Sequence, residues 1–318
     1  MNRVYSQILE QIEKYDNIVV ARHQVPDFDA SGTQWGLVTW LKDNYPHKHI
    51  YAIGKEHKEF SPKLYPATSQ TVDIEGKFLY ILVDVAQKHR TDDENKYYEK
   101  ADFIIIIDHH PRDTEKWGNI YIVKEHAAAA AEIVADILLS FKKIMSKECA
   151  YYLYSAIVGD SGRFLYSDTS SKTFKVATRL MKTGFDFQDI YYKMYTKSIE
   201  DVKIIKHIFE VVQFSKKNIA YYILDNKTIK SWGISREATK AFVNQFSNYE
   251  EIKIWLQITE DVVSEPEFRW AVSIRSRGVE VNKVASMFNG GGHANASGCR
   301  LPTLEKVYEL IDKLDELL

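Results

Sequence analysis

The strongest constraint on the fold is a run of apolar residues that ends abruptly in three polar side chains. Residues 103–107 read Phe-Ile-Ile-Ile-Ile, and Asp108, His109 and His110 follow at once. An uninterrupted apolar run of this length is typical of a strand buried on both faces, as in parallel sheets. The sequence therefore predicts a covered parallel sheet, with groups that bind metals and transfer protons at the end of this strand.

Two upstream segments have the same layout. An apolar segment at 18–21 precedes His23, Asp27 and Asp29, and a second apolar segment runs directly into Asp84. Ligand sites in open α/β sheets lie beyond the carboxyl ends of the strands. If the sheet is parallel, these side chains and those of the first motif should therefore meet in one crevice.

Strand and helix patterns alternate along the chain, which predicts an α/β fold. In the first half we expect strands at 17–22, 49–53, 78–84 and 102–108, and helices at 30–43, 127–143, 147–158 and 170–183. In the second half we expect strands at 219–224, 252–258 and 269–275, and helices at 234–244, 279–288 and 303–318. This pattern predicts an N-terminal domain at 1–190 with a parallel sheet and helices on both faces. A helical connector at 191–214 and a smaller C-terminal α/β domain at 215–318 would follow.

Composition excludes several classes of function. The net charge of −2 gives no basic surplus of the kind that long nucleic acid requires, so a nucleic-acid substrate should be short. No apolar stretch approaches the ~20 residues of a membrane span, and the N-terminus lacks a signal-peptide pattern. Cys149 and Cys299 lie too far apart in sequence to suggest a disulfide framework. We expect a cytoplasmic protein with no membrane partner.

Carboxylate and imidazole groups recur at four segment ends. They are His23, Asp27 and Asp29; Asp84; Asp108, His109 and His110; and Asp160. Each segment alone is weak evidence, because an aspartate after a strand is often only a helix N-cap. Together, mixed oxygen and nitrogen donors without cysteine favour Mn²⁺, with Mg²⁺ or Co²⁺ as substitutes. Asp84 stands alone at its strand end, which suits a carboxylate that bridges two cations.

The segments around these groups carry further expectations. Within the acid–histidine–histidine triplet we expect one ligand, one supporting acid and one proton donor, because a ligating histidine commonly has a carboxylate on its other nitrogen. Gly32 would let the following helix pack closely against the sheet. Glycines 159 and 162 would permit a tight turn that presents Asp160. The alanine run at 127–131 is best explained as the closely packed start of a helix.

A glycine-rich motif marks the second domain. Four of the 14 glycines lie between residues 290 and 298, where backbone amides could approach an anion directly. His293 stands inside this motif, and Arg275 and Ser276 end a predicted strand upstream. An arginine can grip a phosphate through two parallel hydrogen bonds. A plain glycine-rich turn between a helix and a short strand is the alternative, but the accompanying polar side chains favour an anion site.

These motifs together resemble the DHH phosphoesterase superfamily, which is named for the triplet at residues 108–110. In the first domain the resemblance rests on His23 through Gly32, Asp84, Asp108 through Pro111, and Gly159 through Phe164. In the second domain it rests on Ser273 through Ser276 and on Gly290 through His293, which resemble the DHHA1 domain. The match covers essentially the whole chain. Size and layout are similar to the nano-RNase and pAp phosphatase group, which includes cytosolic phosphodiesterases that act on pApA.

The resemblance implies a role for each matching residue. One Mn²⁺ would be held by His23, Asp27 and Asp84, and the other by Asp29, Asp84, His109 and Asp160. Asp108 would support the site from behind and His110 would face the substrate, so that Asp84, Asp108 and His110 are the predicted catalytic residues. The terminal nucleotide would be bound by Arg275, Ser276, Gly291, Gly292 and His293, with Arg163 as a further contact.

The expected activity is metal-dependent hydrolysis of short 5′-phosphorylated oligonucleotides, such as pApA, from the 5′ end to nucleoside 5′-monophosphates, and of pAp to AMP. Two cations ~3.5–4 Å apart would clamp an in-line displacement at phosphorus. His110 would stabilise or protonate the leaving oxygen. The alternatives are a phosphatase of inorganic pyrophosphate or polyphosphate, and a non-catalytic nucleotide sensor. Substrate preference, the physiological metal and the formation of a homodimer remain open at this point.

Overall fold

The computed structural model describes residues 2–56, 64–110, 116–261 and 268–318. The chain divides into two compact units, Met1–Thr196 and Lys197–Leu318. The first contains a parallel sheet with helices and the second contains a separate sheet with helices, which confirms the predicted α/β class. The segment expected to connect two domains, 191–214, includes the end of one helix in the first unit and a whole helix in the second.

Five parallel strands in the order β2-β1-β3-β4-β5 form the sheet of the first unit. They are β1 (Asn17–Ala21), β2 (His49–Ala52), β3 (Phe78–Val83), β4 (Phe103–Asp108) and β5 (Ile120–Val123). The first four were predicted from their apolar runs. Strand β5 was not, because it is a four-residue edge strand whose side chains are mostly half-buried. The strand order reverses between β1 and β3, so their carboxyl ends border the crevice where such sheets bind ligands.

Helices and connecting segments cover both faces of this sheet. The helices are α1 (Arg3–Lys14), α2 (Phe28–Asn44), α3 (Tyr97–Lys100), α4 (Ala130–Ser140), α5 (Lys147–Asp160), α6 (Ser171–Met181) and α7 (Phe187–Tyr195), with a 3-10 turn at Lys88–Arg90. On one face, alternate strand residues such as Ile18 and Leu79 pack in a core with α1, α2, α4 and α5. On the other, residues such as Val19 and Tyr80 pack against short α3 and neighbouring loop residues.

Helices α2 and α5 approach each other closely at two glycines. A Cβ on Gly32 would lie 2.7 Å from the carbonyl oxygen of Tyr152, so this glycine serves contact with α5 and not, as we expected, contact with the sheet. Gly159 lies within α5, where a Cβ would come 2.5 Å from that of Phe28. The start of α2 and the end of α5 are therefore in close contact.

The second unit is built on six strands in the order β10-β11-β9-β8-β7-β6. Their bounds are β6 (Gln213–Phe214), β7 (Ala220–Leu224), β8 (Ile254–Glu260), β9 (Trp270–Ser276), β10 (Gly291–His293) and β11 (Ala296–Leu301). The helices are α8 (Ile199–Val211), α9 (Asn226–Ser231), α10 (Asn282–Met287) and α11 (Leu304–Asp315), with a 3-10 segment at Glu237–Phe246. Side chains of α10 and α11 pack in one core with β8, β9 and β11. Among the described helices of either unit, none has the length and apolar character needed to cross a membrane.

Candidate active site

Three neighbouring strands deliver polar side chains to one edge of the parallel sheet. His23 follows β1 by two residues, and Asp84 directly follows β3. Asp108 is the last residue of β4, and His109 comes next. Because β1, β3 and β4 are adjacent and parallel, their carboxyl ends meet at the same edge, and these four side chains converge there.

A first group of possible metal ligands forms around His23. Its Nε2 atom lies 3.3 Å from Oδ2 of Asp84 and 3.7 Å from Oδ2 of Asp27. Its Nδ1 atom lies 2.7 Å from the carbonyl oxygen of Gln24, which turns Nε2 toward the two acids. Asp27 is the N-cap of α2 and accepts a hydrogen bond from the backbone of Ala30 on Oδ1, so its other oxygen faces the histidine.

A second group forms around His109. The Nε2 atom of this histidine lies 3.2 Å from Asp160, 3.4 Å from Asp84 and 3.7 Å from Asp29. Its Nδ1 atom donates to the carbonyl oxygen of Ala127 over 3.0 Å, because that oxygen can only accept. The three side chains of His109, Asp29 and Asp160 each offer a ligand atom within 4.8 Å of the others, as do His23, Asp27 and Asp84 in the first group.

Asp29 is held in place by the start of α4. Its carboxylate accepts hydrogen bonds from the backbone of Ala130 at 2.5 Å and Ala131 at 3.0 Å, and from the hydroxyl of Thr33 at 2.8 Å. The N-cap residue of α4, Ala129, provides no side-chain cap, so a carboxylate from α2 satisfies the amides that a helix start leaves open. The alanine run, which we assigned to packing alone, thus orients one of the predicted ligands.

Asp84 has the environment of a buried carboxylate that could hold a cation. It is 1% exposed, and neither carboxylate oxygen has a hydrogen-bond partner among the residues that the structure describes. Oδ2 faces His23 and Oδ1 faces His109, one histidine of each group. Its backbone is left-handed, with φ +60°, a conformation that a non-glycine residue rarely adopts. Leaving buried carboxylate oxygens unsatisfied is costly, so these residues fit a divalent cation on either side.

The electrostatics of the site indicate an excess of negative charge. Burial, followed by repulsion from Asp84, raises the pKa of Asp29 to about 7. Burial also raises the pKa of Asp160 well above its ordinary value, and attraction to His109 does not offset it. For Asp84, burial alone would raise the pKa, but His109 and His23 outweigh it and hold the pKa well below the usual range. A bound cation would relieve this crowding of carboxylates.

Asp108 contacts the imidazole of His110 and not that of His109, the predicted metal ligand. Its Oδ1 atom accepts from the backbone nitrogens of His109 and His110, and it lies 2.8 Å from Nδ1 of His110. Burial alone would lower the pKa of His110, but Asp108 outweighs it and raises that pKa. The carboxylate that we expected behind a metal-binding histidine is therefore paired with the predicted proton donor. Pro111, which completes the motif, lies outside the described residues.

The segment after Asp160 has an unusual backbone. Gly162, Arg163 and Phe164 have φ values of +56°, +66° and +65°, so three consecutive residues adopt a left-handed backbone conformation. The guanidinium of Arg163 lies 5.0 Å from the centre of the ring of Tyr195, within the first unit. Strain of this kind is common beside functional sites. Arg163, predicted to reach the substrate, is thus stacked on an aromatic ring one short turn from Asp160.

Sequence reasoning missed one basic residue near the site. A small pocket beside Asp108 and His110 is also lined by Gln87 and Arg90. Arg90 ends the 3-10 turn that follows β3. The run of three basic residues at 88–90 was the available signal, and it stands just after the strand that delivers Asp84.

The glycine motif of the second unit forms a hairpin. Gly291 and Gly292 are exposed and lie with His293 in β10, the edge strand that pairs antiparallel with β11. Gly292 has φ +129°, and a Cβ there would lie 2.5 Å from the carbonyl oxygen of Ala296, so only glycine fits. Arg275 of β9 stands directly opposite Ala296, which places the arginine beside the hairpin turn.

Ser276 has a structural role in the second unit. It is 8% exposed, and its hydroxyl donates to the carbonyl oxygen of Val279 at 2.5 Å and accepts from the amide of Asn295 at 3.0 Å. The Asn295 amide also donates to Val279 at 2.9 Å. These bonds tie the hairpin turn to the end of β9, so this serine positions the predicted phosphate-binding elements by contacts within the protein.

Two features together define the DHH class of phosphoesterases. One is a parallel sheet that gathers histidines and aspartates at one edge, and the other is a second unit that carries a glycine hairpin. Residues 17–157 match the model of the DHH family N-terminal domain, and residues 216–318 match that of the DHHA1 domain. The chain belongs to this family, as the sequence motifs predicted, and it is a metal-dependent phosphoesterase.

Relatives match over nearly the full chain. The chain is 33% identical over 314 residues to the probable bifunctional oligoribonuclease and PAP phosphatase NrnA of Streptococcus mutans, covering 99% of each protein. It is 29% identical to the bifunctional oligoribonuclease and PAP phosphatase NrnA of Bacillus subtilis, covering 98% of each. An exopolyphosphatase-related protein from Bacteroides fragilis, at 23% identity and a TM-score of 0.85, shares the fold over 99% of this chain and 96% of that one.

Proposed function

We propose that this protein hydrolyses short 5′-phosphorylated oligonucleotides to nucleoside 5′-monophosphates, and pAp to AMP. The names and near-complete coverage of the relatives from S. mutans and B. subtilis support this substrate class. The observation that carries the proposal is Asp84, a buried carboxylate without hydrogen-bond partners in the described chain, with a histidine-containing group on each side. A carboxylate in this position suits a pair of cations that clamp a phosphodiester for in-line displacement.

Two divalent cations per chain, most simply Mn²⁺, would be held by the two groups. His23, Asp27 and Asp84 would bind one, and Asp29, Asp84, His109 and Asp160 would bind the other. When bound, such cations lower the pKa of water to provide a nucleophile and neutralise charge on the phosphoryl oxygens. The close approach of α2 and α5 at Gly159 supports the assignment, because it brings the elements that carry Asp29 and Asp160 together.

His110 would act on the leaving group. Asp108 fixes its Nδ1 atom and raises its pKa, which favours the protonated form of the ring. A protonated imidazole can donate to the leaving O3′ as the P–O bond breaks. Arg90, in the pocket beside His110, would contribute positive charge to the same substrate.

The DHHA1 unit would bind the nucleotide that carries the 5′-phosphate. Arg275, Gly291, Gly292 and His293 are the proposed contacts, with Ser276 as their support. Arg163 is proposed separately as a substrate contact. Cleavage on the 3′ side of the bound nucleotide would then release a nucleoside 5′-monophosphate. The same geometry serves pApA, where the scissile phosphate joins two nucleosides, and pAp, where it is the terminal 3′-phosphate. In this proposal residues 1–190 carry the catalytic centre and residues 215–318 recognise the substrate.

A rate profile over a panel of substrates tests the proposal. The purified protein with Mn²⁺ would be assayed on pApA, pAp, RNA and DNA of two to five nucleotides, pyrophosphate and short polyphosphate, with Asp84→Asn as the control. We expect turnover of pApA, pAp or the short oligonucleotides to dominate and to be largely lost in the control. Preferred hydrolysis of pyrophosphate or polyphosphate would contradict the proposal, and so would nucleotide binding without turnover.

The formation of a homodimer and a cytoplasmic location stay predictions.

A further inference from the structure

A single peptide group connects a buried acid to His109. The carbonyl oxygen of Ala127 accepts a hydrogen bond from Nδ1 of His109 over 3.0 Å. The N–H of the same peptide group, which belongs to Ala128, donates to Oε2 of Glu132 over 3.3 Å. A chain of hydrogen bonds therefore runs from the carboxylate of Glu132, through this peptide group, to the imidazole of His109. The Nε2 atom of that imidazole faces Asp84 and Asp160.

Glu132 is itself fixed from a second side. It is 2% exposed, and the hydroxyl of Thr173 donates to its Oε2 over 2.7 Å. Thr173 is fully buried in the first turn of α6, where it also accepts from the backbone of Ser170 in a capping box. Lys124 and Lys172 act on Glu132 only from a distance, and both form ion pairs with Asp136. The carboxylate is thus buried, oriented by two donors, and unused by the proposed reaction.

We propose that Glu132 is a positioning residue for His109 and acts on it through the peptide group between Ala127 and Ala128. A carboxylate behind a ligating histidine fixes its tautomer and raises its basicity. Hydrogen bonds in a chain polarise one another, so a carboxylate on the N–H makes the carbonyl a stronger acceptor. Thr173 completes the chain by holding the carboxylate.

The same turn also holds Asp29 through the amides of Ala130 and Ala131. Glu132 therefore stabilises a segment that orients two side chains of the second group. The inference rests on the proposed function, in which both are metal ligands. A purely structural explanation is that Glu132 only stabilises the start of α4, where an acidic side chain is favourable in any helix. That explanation predicts a loss of stability without a change at His109.

Four variants separate the two explanations. Glu132→Gln keeps the shape but removes the charge, Thr173→Val removes the hydroxyl, and Thr173→Ser restores it. Asp136→Asn is the matched control, because Asp136 lies one turn further along α4 and has no contact with the 127–128 peptide in the interactions described. Each variant would be studied by NMR of the ¹⁵N-histidine-labelled, metal-free protein and by titration with Mn²⁺.

We expect Glu132→Gln and Thr173→Val to move the resonance of the proton on Nδ1 of His109 upfield and to speed its exchange with water. We also expect the Kd for Mn²⁺ to rise about 10-fold, in the range typical of partners behind a ligand. Thr173→Ser should restore both values, and Asp136→Asn should match the unaltered protein.

An unchanged resonance and Kd in Glu132→Gln and Thr173→Val, with only a lower melting temperature, would overturn the inference. If Glu132→Gln fails to fold, the valine and serine variants of Thr173 decide by the same two readouts. The NMR measurement needs neither metal nor substrate. An unaltered protein that does not bind Mn²⁺ would therefore contradict the proposed function, while the His109 resonance still decides whether Glu132 acts on this ring.

Discussion

Asp84 combines burial, a left-handed backbone and a carboxylate without hydrogen bonds in the described part of the chain. Substitution by asparagine separates the charge from the other two properties. Asparagine tolerates the left-handed conformation and has nearly the same shape, so we expect Asp84→Asn to fold. It removes the charge that faces both histidine groups. We therefore expect kcat with Mn²⁺ to fall on the order of 10²-fold or more, as when a major source of transition-state stabilisation is lost. Near-normal turnover in a steady-state assay would contradict the bridging role.

Arg275 tests the role of the second unit at the residue scale. We expect Arg275→Ala to raise KM for pApA or pAp about 10-fold or more, because a charged hydrogen bond to phosphate contributes roughly 1.5–3 kcal/mol. Hydrolysis of bis-p-nitrophenyl phosphate, a small diester without a nucleotide, should be spared. Arg300→Ala is the matched control, since the strand register places Arg300 on the same sheet face, four residues along β11 from the partner of Arg275. Equal losses on both substrates would remove Arg275 from substrate recognition.

Side chains of the candidate site could be predicted from sequence, but their supports could not. His23, Asp84 and His109 stand out because polar groups follow apolar runs. The carbonyl of Ala127 and the amide of Ala130 leave no such signal, since every residue carries these backbone groups. We expected the carboxylate support on the predicted metal-binding histidine, but Asp108 contacts the imidazole of His110.

At the scale of elements, the start of α4 shows where sequence patterns stop being informative. Alanine propensity predicts a helix from residue 127, but α4 begins at Ala130. The three residues before it turn to hold His109, and the helix is capped by Asp29, about 100 residues away in sequence. The central strands were predictable because a buried parallel strand needs a continuous apolar run. The hairpin of β10 was not, because its three residues include two glycines, which favour no strand.

The contact between α5 and α2 gives a prediction about elements. In Gly159→Ala the new Cβ would meet Phe28, and the end of α5 must move away from α2 and carry Asp160 with it. We expect a loss of stability of about 1–3 kcal/mol and weaker Mn²⁺ binding. Gly36→Ala is the control, because its Cβ would meet Leu153 in the same interface, two turns along α2 from Asp29. Calorimetric titration should show intact Mn²⁺ affinity in Gly36→Ala; equal affinity in both would argue against this spacing role.

For the whole molecule, the crowded carboxylates predict how stability depends on pH without metal. The pKa of Asp29 is raised from 3.8 to about 7, so its contribution to stability is full below the lower value and lost as pH rises through the upper one. The raised pKa values of Asp160, His23 and His109 act in the same direction. The lowered pKa of Asp84 adds no change above pH ~5, because that acid is already ionised there.

We therefore expect the melting temperature in EDTA to fall between about pH 5.5 and pH 8. The fall should be smaller in Asp29→Asn, which removes one of the titrating groups. Each Mn²⁺ that binds at 100 times its Kd should restore about 2.7 kcal/mol of stability at the upper pH. A melting temperature that rises over this range, or that does not respond to Mn²⁺, would contradict the charge balance described for the site.

Anomalous diffraction at the manganese edge, from a crystal grown with Mn²⁺, tests the central claim most directly. The account predicts two peaks in each chain, ~3.5–4 Å apart, with Asp84 in contact with both. One should lie against His23 and Asp27, and the other against Asp29, His109 and Asp160. A single peak, or two peaks with Asp84 bound to neither, would contradict it.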